Sequence, residues 1–201
     1  ILRESVILDL PPNAPPIADV MVNVFRDTDW QNSLVYTLPD GTPTGDKFLR
    51  LQSFGMDREG IYPQADMPPV NFAFDDVQVA FTSNSFNNGI LTLEGVMTAT
   101  STPTQDYILF FHVVDMNGRM VQQSDSLYLS DNWVTSALIP NRPIKFIREI
   151  ALPYVAGFGE YVVKFGAYTL PSTARLPLLN GDGMRLPDDM GEWGRVQVID
   201  E

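Results

Sequence analysis

The chain has 201 residues, 44% of them hydrophobic and 19% charged, with a net charge of −12 and no cysteine. That hydrophobic share excludes a disordered polymer, and the acidic balance argues against nucleic acid and anionic membrane surfaces, both of which need basic patches. The missing cysteines exclude disulfide frameworks, thiolate zinc sites and cysteine nucleophiles, whereas hard-oxygen cation sites stay open.

The N-terminal "LPPNAPPIAD" carries paired prolines that suit an extended linker or an edge crossing. After it, "ADVMVNVF", "SLVYTL" and "DKFLRLQSF" are short and rich in β-branched and aromatic residues. A boundary is expected within "YPQADMPPVNF", Tyr62 to Phe72, where proline and polar residues interrupt the pattern. This divides the chain into a β-rich segment, 1–69, and a larger domain, 70–201.

In that domain "DDVQVAF" and "ILTLEGVMTAT" continue the strand-like runs. "DYILFFHVVD" then alternates, with Tyr107, Leu109, Phe111 and Val113 on one face and Ile108, Phe110, His112 and Val114 on the other. "DMNG" predicts a hairpin turn, and "RMVQQSD" the returning strand. "IKFIREIAL" and "GEYVVKFGAYTL" alternate in the same way, and "GRVQVID" closes the set.

Prolines and glycines punctuate these runs at close spacing, and no segment keeps an i, i+3, i+4, i+7 pattern for three turns. The expected fold is all-β, an antiparallel sandwich of immunoglobulin or jelly-roll type, with extra β-rich structure at the N-terminus. No apolar run approaches the ~20 residues of a membrane helix. The chain opens at Ile1 without a signal peptide or methionine, so a processed protein or an ectodomain is expected.

From about Val70 onward the chain resembles a family of extracytoplasmic β-sandwich modules. These stand at the C-terminal ends of bacterial cell-envelope membrane proteins, including glycosyltransferase-like ones. The likeness rests on "DYILFFHVVDMNGRMVQQSD", "IREIALPYVAGFGEYVVKFGAYTLPSTARLP" and "WGRVQVID", in that order. Tyr107, Phe110 or Phe111, His112, Asp115, Gly118, Arg119, Gln123, Asp125, Gly159, Tyr161, Gly166, Tyr168, Arg175, Leu176 and Pro177 fall on its pattern. "WVTSALIPNRP" departs from it, standing where a short Trp-x-Pro-Gly turn is expected. The resemblance implies an accessory, non-catalytic module outside the cytoplasmic membrane, with other envelope or membrane proteins as partners.

Catalysis has few candidates. His112 is the sole histidine, so a Ser-His-Asp triad must use it, but no Gly-x-Ser-x-Gly elbow occurs. Packed between Phe110 and Val114, it reads as a hydrogen-bonded structural residue at the sandwich rim. A single histidine also removes most catalytic zinc and facial-triad iron sites. Carboxylate pairs for glycoside hydrolysis can be drawn from Glu94, Asp125 and Glu149, but their separation is not legible. Asp27 and Asp29 in "RDTDW" read as a solvated turn. No phosphate-binding glycine loop is present.

Two binding sites are candidates. "NGDGMRLPDDMGE" offers Asn180, Asp182, Asp188 and Asp189 as calcium ligands, with Glu192 nearby; a plain acidic turn is the alternative. Trp30, Trp133 and Trp193 each follow an acidic or amide residue in turn-like contexts. Exposed there, an indole plane would stack on a sugar ring; otherwise it caps the core. The expected function is therefore a structural or interaction module, with carbohydrate binding or membership of a larger surface assembly as alternatives.

Overall fold

The computed structural model describes residues 65–127, 129, 133–153 and 159–198 in full, and ahead of them the backbone of four strands between Ile17 and Gly55. The chain divides into two compact units, Ile1–Tyr62 and Pro63–Glu201. In the first, β1 (Ile17–Val22) pairs antiparallel with β4 (Leu49–Gly55), and β2 (Phe25–Arg26) with β3 (Asp29–Ser33). The strand expected over "SLVYTL" lies, after Ser33, outside the described residues, as does the proline-rich opening before Ile17.

The second unit starts ahead of Val70. Ala65 N–H already donates to Pro143 O at 3.0 Å, which ties the proline-rich lead-in to the sandwich. Its strands are β5 (Phe72–Phe74), β6 (Val77–Asn87), β7 (Ile90–Ala99), β8 (Ile108–Asp115), β9 (Met120–Ser126), β10 (Ile144–Ala151), β11 (Gly159–Tyr168), β12 (Leu179–Asn180) and β13 (Gly191–Val198). They form a five-stranded sheet, β10-β7-β6-β5-β12, and a four-stranded sheet, β13-β11-β8-β9. All these strand pairs are antiparallel, and the two sheets pack together as a β-sandwich.

Period-two alternation decides which side chains enter the core. On β8, Leu109, Phe111 and Val113 are fully buried between the sheets, while His112 and Val114 point away. On β10, Ile144, Phe146 and Ile150 face inward with Arg148 among them, and Lys145, Ile147 and Glu149 face out. Burial lowers the pKa of Arg148. An inward-pointing charge on an edge strand discourages pairing with a foreign strand.

The middle of the core is aromatic. Trp193 lies 4.1 Å from Phe81, 5.2 Å from Phe111, 5.5 Å from Phe165 and 5.7 Å from Phe146, ring centre to ring centre. Phe165 also stacks on Phe72 at 5.5 Å. These rings come from both sheets, and all but the half-buried Phe81 are buried, which stabilises the fold by about 1.5–3 kcal/mol for each. Gly95 makes room for them: a Cβ there would stand 2.7 Å from both Phe146 and Trp193.

One five-residue turn occurs twice. In the β8–β9 hairpin, Asp115 Oδ1 accepts the N–H groups of Asn117 and Arg119, and Gly118 adopts φ +79°. After β12, Asn180 Oδ1 accepts from Asp182 and Met184, and Gly183 adopts φ +80°. The "WVTSALIPNRP" segment forms a single 3-10 turn, Thr135–Ala137. Tyr107 N–H donates to Thr135 Oγ1 at 2.8 Å and Ser136 N–H to Asp106 Oδ1 at 3.0 Å, so the segment is fastened to the start of β8.

Candidate functional site

The outer face of the four-stranded sheet gathers the side chains with most chemistry. Strand register sets them in rows. Phe110 on β8 stands opposite Asp125 on β9 and Gly166 on β11; the next row holds His112 between Gln123 and Lys164. Tyr168 ends β11 on the same face. The chain then turns back, and an antiparallel bridge from Tyr168 to Arg175 returns the arginine to the sheet, with Leu176 N–H donating to Ala167 O at 2.8 Å.

Phe110 is the floor of this cluster. Gly166 lets its ring lie across β11, since a Cβ at that position would overlap the ring. The Arg175 guanidinium covers it at 5.3 Å from the ring centre, a cation–π contact. His112 lies against it at 4.7 Å and Tyr168 at 6.2 Å, leaving Phe110 only 2% exposed. Arg175 Nη1 is also held by the Asp188 carbonyl at 3.1 Å. Asp188 and its neighbour Asp189 both adopt left-handed backbone, φ 54° and 51°, a conformation disfavoured for non-glycine residues and enriched near binding sites.

The polar groups are ordered yet incompletely used. Tyr168 O–H donates to Asp125 Oδ2 at 3.1 Å; burial and this carboxylate push the phenol pKa up. Burial lowers the His112 pKa, Asp125 pulls it back up and Arg175 adds to the lowering, so the imidazole is neutral near pH 7. Among the described residues neither nitrogen of His112 is engaged by a protein partner, and the same holds for Asp125 Oδ1 and the Gln123 side-chain amide. The arrangement can therefore donate and accept hydrogen bonds across a face that carries both charge signs. His112 thus sits in mid-sheet, its ring tilted 35° against Phe110, and is neither at the rim nor, among the described residues, hydrogen-bonded as expected: the strand-pair register, which the sequence did not show, centres it.

The residues expected to bind ligands lie elsewhere. Trp193 is on β13, not in a turn. A bulge opposite Val163 and Lys164 turns its indole inward, and at 4% exposure it has no face for a sugar. Trp133 is equally buried, with its carbonyl accepting from Leu129 N–H at 2.7 Å. Stacking on sugars through these two is replaced by core packing, because flanking acids mark a polar neighbourhood without fixing where the indole points. Trp30 is on β3, and its side chain lies outside the described residues.

The candidate calcium ligands do not form one site. Asn180 Oδ1 is taken by its own turn, and Asp189 forms a two-pronged pair with Arg185 at 2.7 and 2.8 Å, which holds the carboxyl below the usual carboxylate range. Asp182 and Asp188 are exposed, and Glu192 is engaged by Arg195 at 3.0 Å. Among the described residues no three acidic or histidine side chains converge as metal ligands. Glu94 and Glu149 lie on the outer face of the five-stranded sheet, across the sandwich from Asp125, so the three do not flank one substrate. Asp27 lies outside the described residues; Asp29 begins β3.

Sequence reasoning placed Gln123, Tyr168 and Arg175 in the right strands and turn without marking them as a site. Alternation signalled the outward face of Tyr168; nothing local signalled that Arg175 folds back over Phe110.

No family model matches the chain, and no curated protein matches it in sequence. Two solved structures are similar in outline. A Bordetella pertussis protein provisionally called ApaA is 13% identical with a TM-score of 0.30, over 66% of this chain and 96% of that one. The structural-genomics target SoR45 is 9% identical with a TM-score of 0.26, over 64% and 86%. At these scores neither likeness bears on the fold or function of this chain.

Proposed function

We propose that the chain is a non-catalytic structural and interaction module of a bacterial cell-envelope protein, exposed outside the cytoplasmic membrane. The observation that carries this reading is the outer-face cluster over Phe110. It stands on three neighbouring strands of one sheet and has hydrogen-bonding capacity left over. That suits recognition, whereas catalysis calls for groups converging in a water-excluding cleft. The ordered resemblance in sequence supports the envelope setting, and the acidic composition is compatible with it.

Fractionation of cells producing the natural protein tests the location. The chain is expected with the envelope, labelled by a reagent that cannot cross the cytoplasmic membrane; recovery in the cytosol overturns it. Cross-linking in those cells tests the role. Envelope partners are expected, and the paired change Gln123→Lys with Asp125→Lys should reduce their recovery at least several-fold. Unchanged recovery removes this face from the interaction.

A further inference from the structure

We infer that the cluster of Gln123, His112, Asp125, Tyr168 and Arg175 binds a neutral polyhydroxylated ligand, a glycan chain without acidic groups. This rests on the interaction reading above and names the ligand of that same face. Paired hydroxyls of a sugar ring both donate and accept, so they need mixed partners held at fixed spacing. The face supplies a carboxylate oxygen, a guanidinium, an imidazole, a phenol and an amide on β8, β9, β11 and the Arg175 turn.

The charge pattern selects among ligands. Asp125 opposes an anion and Arg175 opposes a cation, with the imidazole neutral between them. A phosphate or carboxylate site would instead gather several cations. Lys164, the nearest other cation, is directed to Glu192 at 3.7 Å. The anchors are preset: Tyr168 fixes Asp125, and Phe110 with the Asp188 carbonyl fixes Arg175, so little side-chain freedom is lost on binding. Because these groups lie on the outer face of a sheet, affinity should be modest, with Kd about 1 mM or somewhat tighter for a single chain.

The test is a glycan array carrying neutral α- and β-linked oligosaccharides of glucose, mannose, galactose and N-acetylglucosamine, with sulfated and sialylated glycans alongside. The strongest neutral glycan is then titrated into the 15N-labelled chain. Shifts are expected at Gln123, Asp125, Tyr168 and Arg175, with Asp125→Asn and Arg175→Gln each weakening binding about tenfold. Binding to acidic glycans alone, no glycan signal, or neutral binding that both variants retain would each overturn the proposal. If the array is silent while Gln123→Lys with Asp125→Lys still removes the cross-linked partners, only the glycan assignment fails and the interaction reading stands.

Discussion

His112 shows how far one residue's behaviour is set by neighbours distant in sequence. Its pKa is lowered by burial and by Arg175 and raised by Asp125. Asp125→Asn should therefore move the pKa further down, and Arg175→Gln should move it up. The single imidazole signal in a proton NMR titration reads both without ambiguity, and identical titrations in all three proteins would refute the coupling. Stability follows with a definite sign. The folded pKa lies below the unfolded value of 6.5, so this contribution is complete above pH 6.5 and is lost as pH falls through the folded value. His112→Gln should flatten that part of the denaturation profile.

Among core residues, Trp193 offers a sharper contrast. Its Nε1–H is buried with no hydrogen-bond acceptor among the described residues. Trp193→Phe removes that orphan donor and keeps most of the ring, so it should cost much less than Trp193→Ala, for which about 3–5 kcal/mol is expected. Urea denaturation of the two variants checks this; equal costs would mean that the phenylalanine ring does not keep the core packed.

Among the elements, the repeated turn is the part most fully written in local sequence. "DMNGR" and "NGDGM" share an acceptor at the first position and a glycine at the fourth, which allows the side-chain oxygen to cap two backbone N–H groups. Around both glycines a Cβ would meet nothing within 4 Å, so only the backbone resists substitution. Gly118→Ala and Gly183→Ala should each cost about 1–2 kcal/mol, and the asparagine variants less. Thermal denaturation of the four proteins would expose any difference between the sites. The strands themselves were legible for the same local reason: alternation in "DYILFFHVVD" puts Phe111 and His112 on opposite faces, but with apolar residues on both faces it does not say which one enters the core. The bulge that sends Trp193 inward was not, because a bulge is a mismatch between two strands and neither carries it alone.

At the scale of the whole molecule, the chain divides into two compact units between Tyr62 and Pro63. A fragment from Pro63 onward contains both sheets of the sandwich and its aromatic core. It should unfold in one cooperative step with Trp193 fluorescence and the far-ultraviolet β signal changing together. A fragment that remains unstructured would show that the first unit is required for the second to fold. The outer-face ion pairs, Lys164–Glu192 at 3.7 Å and Arg195–Glu160 at 3.6 Å, are exposed and add little to that stability.

The sequence by itself determined the class of fold, which side chains share a face of a strand, and the hairpin turn between β8 and β9. Each depends on side-chain period or on chemistry within a few residues. Tertiary structure alone decided that Trp133 and Trp193 are buried and that His112, Asp125, Tyr168 and Arg175 meet over Phe110. Those facts follow from strand register and from a loop returning to its own sheet, and both join positions far apart in the chain.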